Sequence, residues 1–174
     1  LGISHIHLTG GDPSLREDLH KIVRVIKQNG IEDVAISSNA VAFTRENINK
    51  LVEAGLDELH CHMPSLDKKS YCRITGRRDI APQEIADVIA YTSDWIPVRF
   101  NVPVSSRNYN SIRSLLDYSL DNHINVGLIS IATPPEDADN FEAVCFNDIK
   151  KLFLEWSLDK EVKIAAFTDD RRPF

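Results

Sequence analysis

The sequence predicts an α/β fold, a barrel, full or partial, and three observations predict it. Short apolar strands alternate with amphipathic helices through short loops, the pattern of a parallel sheet covered by helices. The strands are polar on one face. His5, His7 and Thr9 oppose Ile6 and Leu8; His60 and His62 oppose Leu59 and Cys61; Arg99 and Asn101 oppose Val98, Phe100 and Val102. A doubly wound sheet buries both faces, whereas this pattern suits helices packed on one side and a polar barrel interior on the other. Finally, the first strand runs into Gly10-Gly11-Asp12-Pro13. Glycines there let a ligand approach the bare backbone, and free N–H groups can hold a carboxylate or phosphate.

The elements follow in order. Residues 3–9 read as the first strand, and 15–29 as a helix with Leu19, Ile22, Val23 and Ile26 on one stripe, closed by Gly30. Residues 33–38 form the next strand, and Thr44 caps a helix that runs to Ala54 and ends at Gly55. A third strand spans 57–62, and Asp67 opens a short helix ending near Gly76. Pro82 suits the first turn of a helix running to about Thr92. A strand at 97–104, a helix at 109–121 and a strand at 124–131 come next. A loop with Pro134 and Pro135 leads to a helix at about 147–157 and a last strand at 161–167.

The length of 174 residues fits one domain, 1–174, with a real core. A hydrophobic fraction of 43% and a charged fraction of 26% are those of an ordinary globular protein. The net charge of −6 argues against a nucleic-acid partner. No stretch is apolar enough to cross a membrane and no signal-peptide pattern occurs, so the expected location is cytoplasmic. The three cysteines, Cys61, Cys72 and Cys145, have neither zinc-site nor redox-motif spacing and read as reduced thiols. The chain starts at Leu1, one strand's length from a candidate site loop, and reads as a piece of a larger enzyme.

Barrel sites gather at the carboxyl ends of strands, where the candidates are Gly10, Gly11, Ser38, Asn39, His62, Arg99, Asn101 and Thr133. An inward arginine needs anionic partners, and a substrate phosphate or carboxylate would make Arg99 functional. The pairs His5-Ile6-His7 and His60-Cys61-His62 open another reading, a histidine-ligated metallohydrolase. Against it, Arg99 repels a metal, and His20 and His123 fall in or beside helices. No metal ligand and no catalytic residue is assigned.

Leu8-Thr9-Gly10-Gly11-Asp12-Pro13-Ser14-Leu15-Arg16 resembles the "LTGGEPLLR" element of radical S-adenosylmethionine (SAM) enzymes. Later stretches are similar to one branch, the GTP 3′,8-cyclases of molybdenum-cofactor biosynthesis. Ser37-Ser38-Asn39-Ala40 stands for "TTNG", Ala54-Gly55-Leu56-Asp57 for "AGLD", and Ser65-Leu66-Asp67 with Arg73-Ile74-Thr75-Gly76 for "SLD…RITG". Val98-Arg99-Phe100-Asn101 stands for "VKIN". The matches run in order over about the first 135 residues.

The resemblance implies a partial TIM-like (β/α)6 barrel, the radical SAM core with its first βα unit missing. In this family a CxxxCxxC loop holds a [4Fe–4S] cluster that binds SAM and cleaves it to a 5′-deoxyadenosyl radical, which takes a hydrogen atom from the substrate. It places Gly10, Gly11 and Asp12, with Ser38, Asn39, His62 and Thr133, about SAM. It places His7, Ser38, Arg99 and Asn101 about a small-molecule substrate, with a nucleotide expected, and it implies a reductant protein as partner. The cluster ligands are expected upstream of Leu1, so the isolated piece should be inactive. Asp12 for Glu, His62-Met63-Pro64 before Ser65, and His7 for Arg depart from the branch and bear on the substrate more than on the fold. A radical SAM paralogue acting on another small molecule or a peptide, and a degenerate barrel without catalysis, are the remaining alternatives.

Overall fold

The computed structural model describes residues 2–130 and 144–160. Five strands form one sheet: β1 (His5–Leu8), β2 (Asp33–Ser38), β3 (Glu58–His62), β4 (Val98–Val104) and β5 (Asn125–Ser130). All neighbours are parallel and their order follows the chain, β1-β2-β3-β4-β5. Crossovers between parallel strands are right-handed, so an unbroken sequential order puts every helix on the same face. That is the barrel arrangement; a doubly wound sheet would reverse direction once.

The α-helices among the described residues are α1 (Leu19–Gln28), α2 (Arg45–Glu53), α3 (Lys68–Thr75), α4 (Pro82–Ser93), α5 (Ile112–Asp121) and α6 (Phe146–Asp159). Their buried stripes meet the outward strand residues. Val34, Ile36, Leu59, Cys61, Val98, Phe100, Val102 and Val104 are almost wholly buried with Val23, Ile48, Leu51, Ile89, Leu115 and Leu116. Each such aliphatic or Phe side chain contributes roughly 1.5–3 kcal/mol on burial.

Local signals explain most boundaries. Thr44 Oγ1 accepts from the Asn47 N–H at 3.2 Å, capping α2, and Asp67 Oδ1 accepts from the Ser70 N–H at 2.8 Å, capping α3. Gly76 closes α3 with φ +73°, a conformation favouring glycine. Pro82 opens α4, where its missing N–H leaves no bond unmade.

The expected helix at 15–29 begins later than its bounds, although its apolar stripe from Leu19 to Ile26 lies within α1. A 3-10 turn at Pro13–Leu15 comes first, Arg16 is extended, and α1 starts only at Leu19. The interruption follows from Asp12, whose side chain caps the 3-10 turn and ties it to β2. Likewise the expected helix at 109–121 divides into a 3-10 turn at Tyr109–Ser111 and α5. The strand expected at 161–167 and the loop with Pro134 and Pro135 lie outside the described residues.

Candidate active site

One carboxylate organises the loop at the carboxyl end of β1. Asp12 Oδ1 accepts hydrogen bonds from the Ser14 N–H (2.9 Å), the Ser14 hydroxyl (2.7 Å) and the Ser38 hydroxyl (2.6 Å). Its Oδ2 accepts from the Asn39 N–H at 2.8 Å. Burial works to raise the Asp12 pKa, but the bonds from Ser14, Ser38 and Asn39 outweigh it and hold the carboxyl below its usual value. Asp12 therefore fastens the first loop to the end of β2.

Ser38 serves the same junction. It is buried, and besides donating to Asp12 its hydroxyl accepts from the Ala40 N–H at 2.8 Å. Ala40 is held in the left-handed region, φ +59°, the backbone shape natural to the glycine of the resembled "TTNG" element. Asn39 Oδ1 accepts from the Val41 N–H at 3.0 Å, so its side chain shapes the same turn.

The glycines are left open. Gly10 has φ +131°, and nothing lies within 4 Å of where a Cβ would stand on Gly10 or Gly11. The N–H groups of Gly10 and Gly11 have no acceptor among the described residues. Two unpartnered donors on an exposed turn are a ready seat for an anion.

The inward strand residues form the neighbouring wall. His7 Nε2 lies 2.7 Å from Ser37 Oγ, and its ring meets His60 edge-on with centroids 5.0 Å apart. His60 Nε2 is shut from solvent without a hydrogen-bond partner, and Glu58 Oε1 lies 2.9 Å away. Across the ladder His60 pairs with Arg99, and His62 with Asn101. The side chains of His62, Arg99 and Asn101 make no hydrogen bond or ion pair with any described residue. Desolvation lowers the His62 pKa, which keeps its imidazole neutral near pH 7.

The structure thus brings Gly10, Gly11, Asp12, Ser38 and Asn39 into one loop cluster, and His7, His60, His62, Arg99 and Asn101 onto one face. Thr133 lies outside the described residues. Ser37, not Ser38, faces the interior beside His7; the alternation that sends Val34 and Ile36 outward already carried that signal. Sequence reasoning also missed Asn108, which is buried and bridges two loops. Its Nδ2 donates to the Pro64 carbonyl at 2.6 Å and the Pro103 carbonyl at 2.9 Å, while Oδ1 accepts from the Ser105 N–H at 2.8 Å.

The histidine-ligated hydrolase has no supporting geometry. His5 sits at the amino end of β1, bonded to Ser4 and 2.7 Å from Asp33 Oδ2. Among the described residues no three His, Cys, Asp or Glu side chains converge as a metal site. A cleft of about 530 Å³, lined by His5, Asp33, Glu58 and Pro97, opens at the amino ends of the strands. It faces away from the glycine loop, and barrel enzymes react at the carboxyl ends.

Sequential parallel strands, helices on one face and an open glycine turn after the first strand define a barrel of the class whose enzymes carry their sites at the carboxyl ends of the strands. The chain belongs to the radical SAM superfamily, which it matches over residues 1–118. It is similar to the GTP 3′,8-cyclase of Limosilactobacillus fermentum, 33% identical over 133 residues, 74% of this chain and 39% of that protein. It is also similar to the probable GTP 3′,8-cyclase of Metallosphaera sedula, 31% identical over 120 residues, 68% of this chain and 37% of that one. The matched region is thus well under half the length of these relatives.

Solved structures show the same fold at low sequence identity. A domain of pyruvate-formate lyase-activating enzyme from Bacteroides vulgatus superposes with a TM-score of 0.71 at 15% identity, covering 91% of this chain and 95% of that one. Coproporphyrinogen III oxidase from Escherichia coli, described as a radical SAM enzyme, superposes with a TM-score of 0.70 at 11% identity, covering 97% of this chain and 44% of that one. Streptococcus suis SuiB bound to S-adenosylmethionine gives 0.68 at 16% identity, covering 90% and 37%. Among the described residues no helix is long and apolar enough to cross a membrane.

Proposed function

We propose that the chain is the SAM-binding core of an enzyme of GTP 3′,8-cyclase type that acts on a small anionic molecule of nucleotide class. The observation that carries this is the pair of unpartnered N–H groups at Gly10 and Gly11, on a loop held open by Asp12. These donors fit the carboxylate of SAM, and the missing side chains give its amino acid end room. When bound, SAM supplies hydrogen-atom abstraction from the substrate.

The remaining roles belong to this chain's own side chains. Asp12, Ser38 and Asn39 keep the loop in shape. His62, neutral, borders the ligand at the end of β3. Arg99 and Asn101 hold the substrate's anionic group, since a guanidinium without a protein partner can give it charge-assisted hydrogen bonds. His7, oriented by Ser37, adds a further donor.

The cluster is a different matter. Cys61 is buried on the helix side, and burial pushes its thiol far up. Cys72 lies on α3 and Cys145 starts α6, so the described cysteines offer no cluster site. On this reading the cluster ligands come from residues other than these three cysteines, and the electron from a reductant protein.

SAM and GTP binding to the complete gene product, reconstituted anaerobically, separates these roles. A Cβ at Gly11 meets nothing, so Gly11→Val folds but obstructs the ligand. SAM affinity should fall at least about tenfold, the loss of one charge-assisted hydrogen bond, with GTP affinity kept. Arg99→Ala should do the reverse. Wild-type SAM affinity in Gly11→Val would remove the glycine loop from the account.

A further inference from the structure

We propose that Gly127, on β5, is a positioning residue that sets where the Arg99 guanidinium points. This rests on the reading of Arg99 as the holder of the substrate's anionic group. Gly127 pairs with Asn101 in the regular β4–β5 ladder, and it is not among the glycines with positive φ. Its backbone therefore does not require glycine. A glycine inside a strand forfeits packing and weakens the strand, and it commonly marks a place where something approaches closely.

Here the close neighbour is known. A Cβ on Gly127 would overlap Arg99 Nη2, and would stand 2.8 Å from Nε and 3.0 Å from Cζ. All three nearest atoms belong to the Arg99 side chain. The direction matters as well. The ladder partner of Arg99 is Asn125, two residues before Gly127. The guanidinium thus leans along the wall toward the carboxyl ends of the strands, where the glycine loop lies.

Arg99 has no hydrogen bond or ion pair with a described residue, so among these residues shape alone gives it this direction. One methyl group on Gly127 would turn it away. The obstructing atoms end a flexible side chain, so the sheet itself need not move. Gly127→Ala should fold normally and lose the aim of Arg99.

The test is phenylglyoxal modification of the complete gene product, read at each arginine by peptide mass mapping, with inorganic phosphate as the protecting probe. In the wild type phosphate protects Arg99 while exposed Arg24 stays reactive. In Gly127→Ala, protection of Arg99 should need about tenfold more phosphate, as expected when one charge-assisted hydrogen bond is lost. Failure of phosphate to protect Arg99 in the wild type would overturn the reading of Arg99, and this inference with it. Equal protection in both proteins would overturn the role of Gly127 and leave that of Arg99 standing. If Gly127→Ala lowers the melting temperature, the double variant Arg99→Ala, Gly127→Ala should restore it. A double variant as unstable as the single one would show that the methyl group strikes something else, and would also overturn the inference.

Discussion

Replacing Asp12 by Asn tests how the site loop is held. The side chain keeps its shape and loses its charge. With the amide oxygen in the place of Oδ1, the bonds from Ser14 and Ser38 survive as neutral ones. The amide nitrogen then faces the Asn39 N–H, donor against donor, and the 2.8 Å bond there is lost. A charge-assisted bond contributes about 1.5–3 kcal/mol and a neutral one about 1. Allowing for the partial exposure of the loop and the relief of carboxylate desolvation, the net loss is about 2–3 kcal/mol. Linkage gives a second signature. The folded-state pKa of Asp12 is depressed below its ordinary value of 3.8, so its stabilisation is complete above that pH and disappears as pH falls through the folded value. Urea unfolding of the wild type and Asp12→Asn should show the full gap at pH 7 and a narrowing one below about pH 4. A gap under about 0.5 kcal/mol at pH 7, or one unchanged by acid, would refute the reasoning.

Two further outcomes follow from buried groups. Asn108→Ala strands the Pro64 and Pro103 carbonyls and the Ser105 N–H, and should cost about 2–4 kcal/mol in the same unfolding assay; a loss under about 1 kcal/mol would show that solvent replaces these bonds. Alkylation at pH 8 should label exposed Cys145 quickly and leave Cys61 untouched until denaturant is added, because Cys61 is buried and its thiol is held protonated. Labelling of native Cys61 at the rate of Cys145 would contradict its place on the helix side.

Much of the fold was legible because its signals are local. The two-residue alternation on β3 and β4 separated Leu59, Cys61, Val98 and Phe100 from His60, His62, Arg99 and Asn101 without any knowledge of the tertiary structure. Thr44, Asp67, Gly76 and Pro82 mark helix ends by their own chemistry. The break between the 3-10 turn and α1 was not legible, because its cause is the bonding of Asp12 to Ser38 and Asn39, far along the chain. The same holds for Asn108, which bridges to Pro64 across 44 positions. Gly127 escaped notice since its reason is the side chain of another strand. Ser38 is a candidate by its place at the carboxyl end of β2, and the structure sets its hydroxyl against Asp12, turned from the interior.

If the Gly10-Gly11 loop presents SAM for cleavage, the protein must form 5′-deoxyadenosine. The complete gene product would be reconstituted anaerobically with iron and sulfide, reduced and given SAM, and 5′-deoxyadenosine would be quantified against bound iron. The expected result is 5′-deoxyadenosine from protein carrying about four irons per chain, sharply reduced in Gly11→Val at equal iron content. A folded protein that binds iron yet forms no 5′-deoxyadenosine, or a Gly11→Val variant as productive as the wild type, would contradict it.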